Sequence, residues 1–359
     1  MSLKYALIGC GRISRNHIAA AMNNSLEIVA LCDIIPENIN EKMNMLKLPA
    51  TVRQYTDYQK MLEIEKPDLV AVTTESGKHA SIALDCIDAG CNLIIEKPIT
   101  LSLKDADAII AKAKQKGVKV CANHQNRFNK PIKKIREALE AGRFGKLLYG
   151  TAHIRWFRSK EYYEQAAWRG TWELDGGALM NQCIHDIDLL RWMMGDEIIE
   201  VYGMTDNLNH GYIEAEDLGI ALVKFANGSY GIIEGTTNVY PKSLEETLYI
   251  FGEKGTAKAG GGSLNLLEEW IFTDNLDNPE DVKVACNEKP KDVYGFGHTT
   301  LYTDVIDAIK NDRDPYVTAE DGKRALELVL AIYKSAAEGK SVKFPLEDCK
   351  TTDFSGRFG

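Results

Sequence analysis

Short apolar runs alternate with amphipathic stretches through the first 120 residues. Tyr5 to Ile8, Ile28 to Leu31, Leu69 to Val72, Asn92 to Ile95 and Val118 to Cys121 are largely apolar at every position. That pattern predicts strands covered on both faces. Between them, His17 to Asn23, Pro36 to Leu46, Lys78 to Ala89 and Leu103 to Lys116 carry helical spacing, and Ser102 with Asp105 resembles a helix-capping pair. Alternation of this kind predicts an α/β Rossmann domain, a doubly wound parallel sheet, over residues 1–122.

The pattern changes near residue 123. A charged helix at Pro131 to Ala141 precedes runs with period-two alternation, Leu148 to Ile154 and Gly219 to Phe225. Asn227-Gly228 and Glu253-Lys254-Gly255 mark tight turns between such runs. Helices are expected at Gly177 to Met194, His298 to Lys310 and Ala319 to Glu338. Residues 123–359 therefore read as an α+β domain with a large, mostly antiparallel sheet, suited to substrate binding and self-association.

Composition narrows the function. No stretch reaches the length of an uncharged membrane helix, and the eight cysteines form no CxxC pair or ligand cluster, so a soluble cytoplasmic protein with reduced thiols is expected. The net charge of −9, with no concentrated basic face, argues against nucleic acid. An anionic ligand must be held by local donors.

Three motifs carry chemistry. Gly9-Cys10-Gly11-Arg12-Ile13-Ser14 joins the first strand to a helix, where a dinucleotide pyrophosphate can approach the backbone, and Asp33 closes the second strand as an acceptor for ribose hydroxyls, favouring NAD over NADP. Glu96-Lys97-Pro98 follows the strand at Asn92 to Ile95, on the sheet edge where such folds bind ligands. Gly176-Gly177 opens a helix on which Asn181, His185 and Asp188 recur at i, i+4 and i+7 as one polar stripe. A histidine can take a hydroxyl proton while a lysine stabilises the developing alkoxide. Asn181 is a poor metal ligand, so no metal is expected.

With these motifs in place, the chain resembles the glucose-fructose oxidoreductase, inositol dehydrogenase and MocA-like family along its whole length, from the glycine loop through Glu96-Lys97-Pro98 and Asn126-Arg127-Phe128 to the His185 helix and the His298 helix. The resemblance implies NAD held by Gly9, Gly11, Arg12, Ile13, Asp33, Thr74, His79, Glu96, Lys97, Asn126, Arg127 and Trp168. It implies catalysis by Lys97 and His185 with Glu96 and Asn181, the last standing where many members carry Asp. The string from Trp168 to Gln182 is most similar to UDP-N-acetylglucosaminuronate 3-dehydrogenases of bacterial surface-polysaccharide pathways. That resemblance implies oxidation of a sugar C3 hydroxyl, 2-oxoglutarate as a possible reoxidant of NADH, and a homodimer or homotetramer.

Between His153 and Arg169 lies a basic and aromatic cluster that includes Arg155, Trp156, Arg158, Tyr163, Trp168 and Arg169. Guanidinium groups suit carboxylate and diphosphate, and rings suit a sugar or base. Lys97, Arg127, Arg155, Arg158, Tyr163, Arg169, Asn181, His185 and His298 form the expected substrate set. Two other readings stay open: an inositol or free-sugar dehydrogenase, and an NAD-dependent sensor without turnover.

Overall fold

A computed structural model of the protein describes residues 2–289 and 295–358. The chain forms two compact units, one of residues 1–124 with 298–323 and one of residues 125–297 with 324–359. The segment His298–Lys323, which the sequence pattern groups with the second domain, packs with the first.

The first unit runs β1 (Lys4–Ile8), α1 (Ser14–Asn23), β2 (Glu27–Cys32), α2 (Pro36–Met45), β3 (Arg53–Tyr55), α3 (Tyr58–Glu65), β4 (Leu69–Val72), α4 (His79–Asp88), β5 (Asn92–Ile95), α5 (Leu103–Lys116) and β6 (Val120–Ala122). Its six strands are parallel in the order β3-β2-β1-β4-β5-β6. The apolar runs of β4 and β5 are buried almost throughout, as strands between two helical layers must be. Ser102 accepts the Asp105 backbone N–H at 3.4 Å and caps α5. The pattern gave no sign of β3 and α3. β3 is a polar edge strand, Arg-Gln-Tyr, and α3 is a short helix capped by Asp57.

The second unit begins with α6 (Lys130–Glu140), β7 (Leu147–Arg155), α7 (Lys160–Glu164), α8 (Ile184–Met194), β8 (Ile198–Asp206) and β9 (Leu218–Phe225). It continues with β10 (Tyr230–Thr236), β11 (Glu245–Gly252), β12 (Gly255–Gly260), β13 (Leu266–Phe272) and α9 (Pro279–Cys286). α10 (Gly297–Lys310) then falls almost wholly in the first unit, α11 (Ala319–Glu338) has its first turn there, and β14 (Val342–Lys343) closes the second sheet. The eight strands take the order β13-β12-β11-β7-β10-β9-β8-β14. All neighbours are antiparallel except β7 with β10. Asn227-Gly228 makes the β9–β10 turn, with Gly228 at φ 85°.

The helix expected from Gly177 to Met194 is divided. Ala178–Gln182 forms a π turn, and α8 starts afresh at Ile184. The extra residue changes the helical phase, so the polar stripe is not one face: Asp188 is fully buried while Asn181 and His185 are half-buried. Gly176 is at φ 79°. The backbone of Gly177 lies against the Glu216 carboxyl, and a Cβ there would sit 1.5 Å from Glu216 Oε2. The Gly-Gly pair thus serves a buried acid. Burial pushes Glu216 up to about 8, despite hydrogen bonds from the Leu179 N–H at 2.8 Å and the Tyr333 hydroxyl at 2.9 Å.

Gly177→Ala is expected to destabilise the protein by on the order of 3 kcal/mol, the cost of overfilling a packed site, and urea denaturation midpoints measure it. Glu216 also makes stability pH-dependent. Its ordinary value is 4.5 and its folded value about 8, so between them the folded chain keeps a proton that the unfolded chain has released. The stability present below about pH 4.5 is lost as pH rises through about 8. Glu216→Gln is expected to flatten this decline in denaturation midpoints measured between those limits.

Candidate functional site

In the first unit, β1 ends at the glycine loop. Gly9 has φ 96°, and a Cβ there would lie 2.7 Å from the backbone of Thr73 and Thr74 at the end of β4, so the two strand ends come this close only with glycine. Gly11 is exposed, with no atom within 4 Å of where a Cβ would stand, and Arg12 and Ile13 follow it into α1. This is a backbone open to a phosphate at a helix N-terminus. Asp33 accepts the Cys10 N–H at 2.7 Å, the Ile35 N–H at 2.8 Å and Asn38 Nδ2 at 3.3 Å. A carboxylate offers about four acceptor positions, so it steadies the loop and keeps capacity for a ribose hydroxyl. These residues fit a dinucleotide.

At the far end of β5, Glu96 is 6% exposed. Its carboxylate accepts His17 Nε2–H at 2.8 Å, the Lys97 backbone N–H at 3.0 Å, and Asn123 Nδ2–H. Burial pushes the carboxyl up, but His17, His298 and the positive charges beside it outweigh burial and hold Glu96 well below the usual carboxylate range. His79 is buried with Nδ1 2.8 Å from the Pro98 carbonyl oxygen and Nε2 3.1 Å from that of Thr74. It ties the turn after Lys97 to the end of β4. Burial lowers its pKa against the pull of those two carbonyls. His298, expected to meet substrate, is instead 4% exposed in this unit, its Nε2 3.3 Å from Asn123 Nδ2.

In the second unit α8 is buried at every position except His185. A helix buried all round belongs to the core, and its one half-exposed side chain is the imidazole. Its charged members are internal. Arg127 is 1% exposed and forks onto Asp188 with two 2.7 Å hydrogen bonds, and Asp188 also accepts from Arg191 at 3.0 Å. Arg127 thus makes a buried ion pair within this unit. Asn126 is likewise buried, 3.5 Å from Glu246 Oε1. Asp186 has no exposure, and burial pushes it up to about 7 beside the Glu246 carboxyl.

The basic and aromatic cluster separates into two kinds of residue. Arg155 is bound to Glu234 at 2.7 and 2.6 Å and to Glu245, so it cross-links strands. Tyr163 is 8% exposed with its hydroxyl 3.3 Å from Thr237, and belongs to the core. Arg158 and Arg169 differ. The Arg158 guanidinium lies 4.6 Å from the Trp156 ring and 5.0 Å from Tyr162, and that of Arg169 lies 4.2 Å from Tyr162 and 4.8 Å from Trp168. The sequence pattern puts both Tyr162 and Tyr163 in this cluster, and of the two it was Tyr163 that the expected substrate set included. The signal was Ser159, which caps α7 and so fixes which tyrosine faces out. Gln182 joins the cluster by accepting from Arg158 Nε at 2.9 Å and donating to Tyr162 at 3.0 Å. It also donates to Asn181 at 2.7 Å, and Asn181 donates to the Asp175 carboxylate. A cavity of about 260 Å³ beside Arg158 is lined by Trp156, Leu244, Glu246, Lys258 and Gly261.

Residues 3–124 match the description "Oxidoreductase family, NAD-binding Rossmann fold", and residues 136–344 match "Oxidoreductase family, C-terminal alpha/beta domain". Among solved structures, the WlbA dehydrogenase of Bordetella pertussis in complex with NADH and UDP-GlcNAcA is 36% identical, covers 96% of this chain and 99% of its own, and superposes with a TM-score of 0.89. The WlbA enzyme of Chromobactrium violaceum, also with NADH and UDP-GlcNAcA, gives 33%, 96%, 97% and 0.88. Myo-inositol 2-dehydrogenase of Thermotoga maritima is 26% identical over 95% of this chain and 98% of its own.

Asp33→Ala is expected to weaken NAD by about tenfold or more, the worth of a hydrogen bond to a charged group. NADP affinity should fall less, because the same change removes a repulsion of the 2′-phosphate. Calorimetric titration with both dinucleotides measures the two effects.

Proposed function

The chain belongs to this NAD-binding oxidoreductase family and acts as a sugar dehydrogenase on a CH–OH group, and from that premise we propose that it oxidises the C3 hydroxyl of UDP-N-acetylglucosaminuronic acid, in surface-polysaccharide biosynthesis. One observation carries the substrate class. Arg158 and Arg169 stand on aromatic rings, and they donate to Gln182, the Phe157 carbonyl and Tyr162, all neutral. In a chain of net charge −9, where Arg127 and Arg155 are held by carboxylates, two guanidiniums left with neutral partners favour an anion. Their flanking rings favour a sugar or base. The similarity to both WlbA complexes points the same way.

In this reading NAD, held at Gly9, Gly11 and Asp33, supplies the hydride acceptor. His185 takes the hydroxyl proton, Lys97 stabilises the developing alkoxide, and Glu96 fixes the Lys97 backbone. Arg158 and Arg169 hold the anionic groups. Several outward side chains of the second sheet, Tyr149, Tyr202, Met204, Ile220, Leu222 and Tyr230, are 40–65% exposed on one face, which favours a homodimer or homotetramer built on that face. The cysteines are all unpaired and seven of them are buried, in keeping with the cytoplasm.

Incubation with UDP-sugars, free sugars and inositols, with and without 2-oxoglutarate, should yield a keto product from UDP-N-acetylglucosaminuronic acid. Lys97→Ala should reduce turnover by at least about a hundredfold with NAD still bound. Arg158→Glu should raise KM for the nucleotide sugar sharply. Activity on inositol that is indifferent to Arg158→Glu would instead establish the second reading, a cyclitol dehydrogenase, which the myo-inositol 2-dehydrogenase similarity favours.

A further inference from the structure

His17 lies one turn into α1, just past the glycine loop, and nothing in its sequence setting marks it. It is fully buried. Its Nε2 is 2.8 Å from Glu96 Oε1 and its Nδ1 is 2.8 Å from the Tyr302 hydroxyl of α10, which is 3.0 Å from the Tyr5 hydroxyl of β1. The directions of these bonds follow from the ends. Glu96 as a carboxylate can only accept, so Nε2 carries the proton. In the neutral ring Nδ1 then accepts from Tyr302, which leaves the Tyr302 oxygen to accept from Tyr5. Every donor in the chain Tyr5, Tyr302, His17 points toward Glu96. Asn123, at the end of β6, donates to the same oxygen, and the other oxygen receives the Lys97 N–H.

We infer that His17 is a positioning residue for Lys97, acting through the Glu96 carboxylate, and that Tyr302 and Tyr5 fix the tautomer in which it can do so. The inference rests on the proposed role of Lys97. It also gives α1 two duties: its first residues follow the dinucleotide loop, and one turn later it holds the carboxylate that anchors the lysine backbone. His17 Nε2, Glu96 Oε1 and His298 Nε2 lie within 4.8 Å of one another, a grouping that could hold a cation. Direct hydrogen bonding accounts for that closeness, because His17 and Glu96 are already at 2.8 Å and Asn123 donates to Glu96 with its Nδ2 3.3 Å from His298 Nε2.

The groups facing Glu96 are His17 from α1, His298 and Tyr302 from α10, Asn123 after β6, Lys97 and, from α4, His79. Burial acts to protonate Glu96, and among the effects that oppose it the His17 hydrogen bond comes first. Removing His17 therefore lets burial act. In His17→Ala, turnover should fall by about a hundredfold, the scale of a misplaced catalytic group. The turnover-pH profile should gain a second acidic limb, from Glu96, beyond the one that a His185 base gives the wild type. His17→Gln keeps an N–H toward Glu96 and should recover most of the turnover and lose the added limb.

A substrate-free readout separates this inference from the substrate assignment. Carboxyl-carbon NMR of 13C-glutamate-labelled protein should show Glu96 ionised through the neutral range in the wild type and His17→Gln, and titrating there in His17→Ala. NAD should bind all three within about threefold by fluorescence quenching, since the phosphate loop and Asp33 are untouched. Tyr302→Phe, a milder change, should produce a smaller shift in the same direction. An unchanged Glu96 titration in His17→Ala would overturn the inference. So would equal impairment of the Ala and Gln variants with no added acidic limb, or one equivalent of tightly bound zinc that His17→Ala releases. A Glu96 titration that moves as expected in a protein that leaves every nucleotide sugar unoxidised would uphold the clamp and reject the substrate.

Discussion

The first unit buries an ionised carboxylate, Glu96, at 6% exposure. Taking a carboxylate out of water costs several kcal/mol unless donors replace the lost hydration. Here the direct donors come from three separate places in the chain: the α1 histidine, the residue after β6 and the adjoining backbone amide. α10, some 200 residues away in sequence and packed with the first unit, adds His298, whose Nε2 is 3.9 Å from the carboxylate, and Tyr302, which bonds His17.

The second unit handles buried acids differently. Glu216 accepts from Leu179, Tyr333 and its own backbone, but no cation is among the groups that oppose burial and Asp175 is a neighbouring negative charge, so burial prevails and the group is held protonated up to about 8. Asp186 is fully buried, and burial pushes it up to about 7 even though the Glu246 carboxyl beside it acts in the opposite direction. Asp188 takes the opposite course, because Arg127 and Arg191 both reach it. One helix turn thus holds a carboxyl whose proton is retained by burial and another kept in a guanidinium network. The difference lies wholly in which partners the rest of the chain delivers.

That dependence on distant partners sets what could be read from the sequence. β4, α5 and α11 appear where their periodicity put them, because local apolar spacing and caps fix them. β3 escaped because an edge strand needs no apolar run. The π turn escaped because Ala-Leu-Met-Asn-Gln has the composition of any helix. Among candidate site residues, the placement of Gly9, Asp33 and the Glu96-Lys97 pair at strand ends follows from the sequence pattern. The burial of Arg127 and His298 does not, since the acid paired with Arg127 lies 61 residues away and Asn123, beside His298, lies 175 away. His17 was overlooked for the same reason: its importance is set by Glu96, 79 positions later.

The π turn has a consequence for how substrate contacts and proton transfer can vary independently. In a continuous helix Asn181 would lie above His185, one turn earlier on the same face. The inserted residue turns Asn181 and Gln182 toward Tyr162, Arg158 and Asp175 instead, in a run of hydrogen bonds from Arg169 through Tyr162, Gln182 and Asn181 to Asp175. The far end of that run is anchored by the Gly170 N–H, which donates to Asp175 at 2.7 Å. His185 remains on a rigid, buried helix, while the groups that would grip an anion belong to a polar network fixed by its own bonds. A change of sugar substituent can then be met within the Arg158–Gln182–Tyr162 set while α8 keeps its place in the core, so substrate range and the placement of the imidazole are governed by different residues.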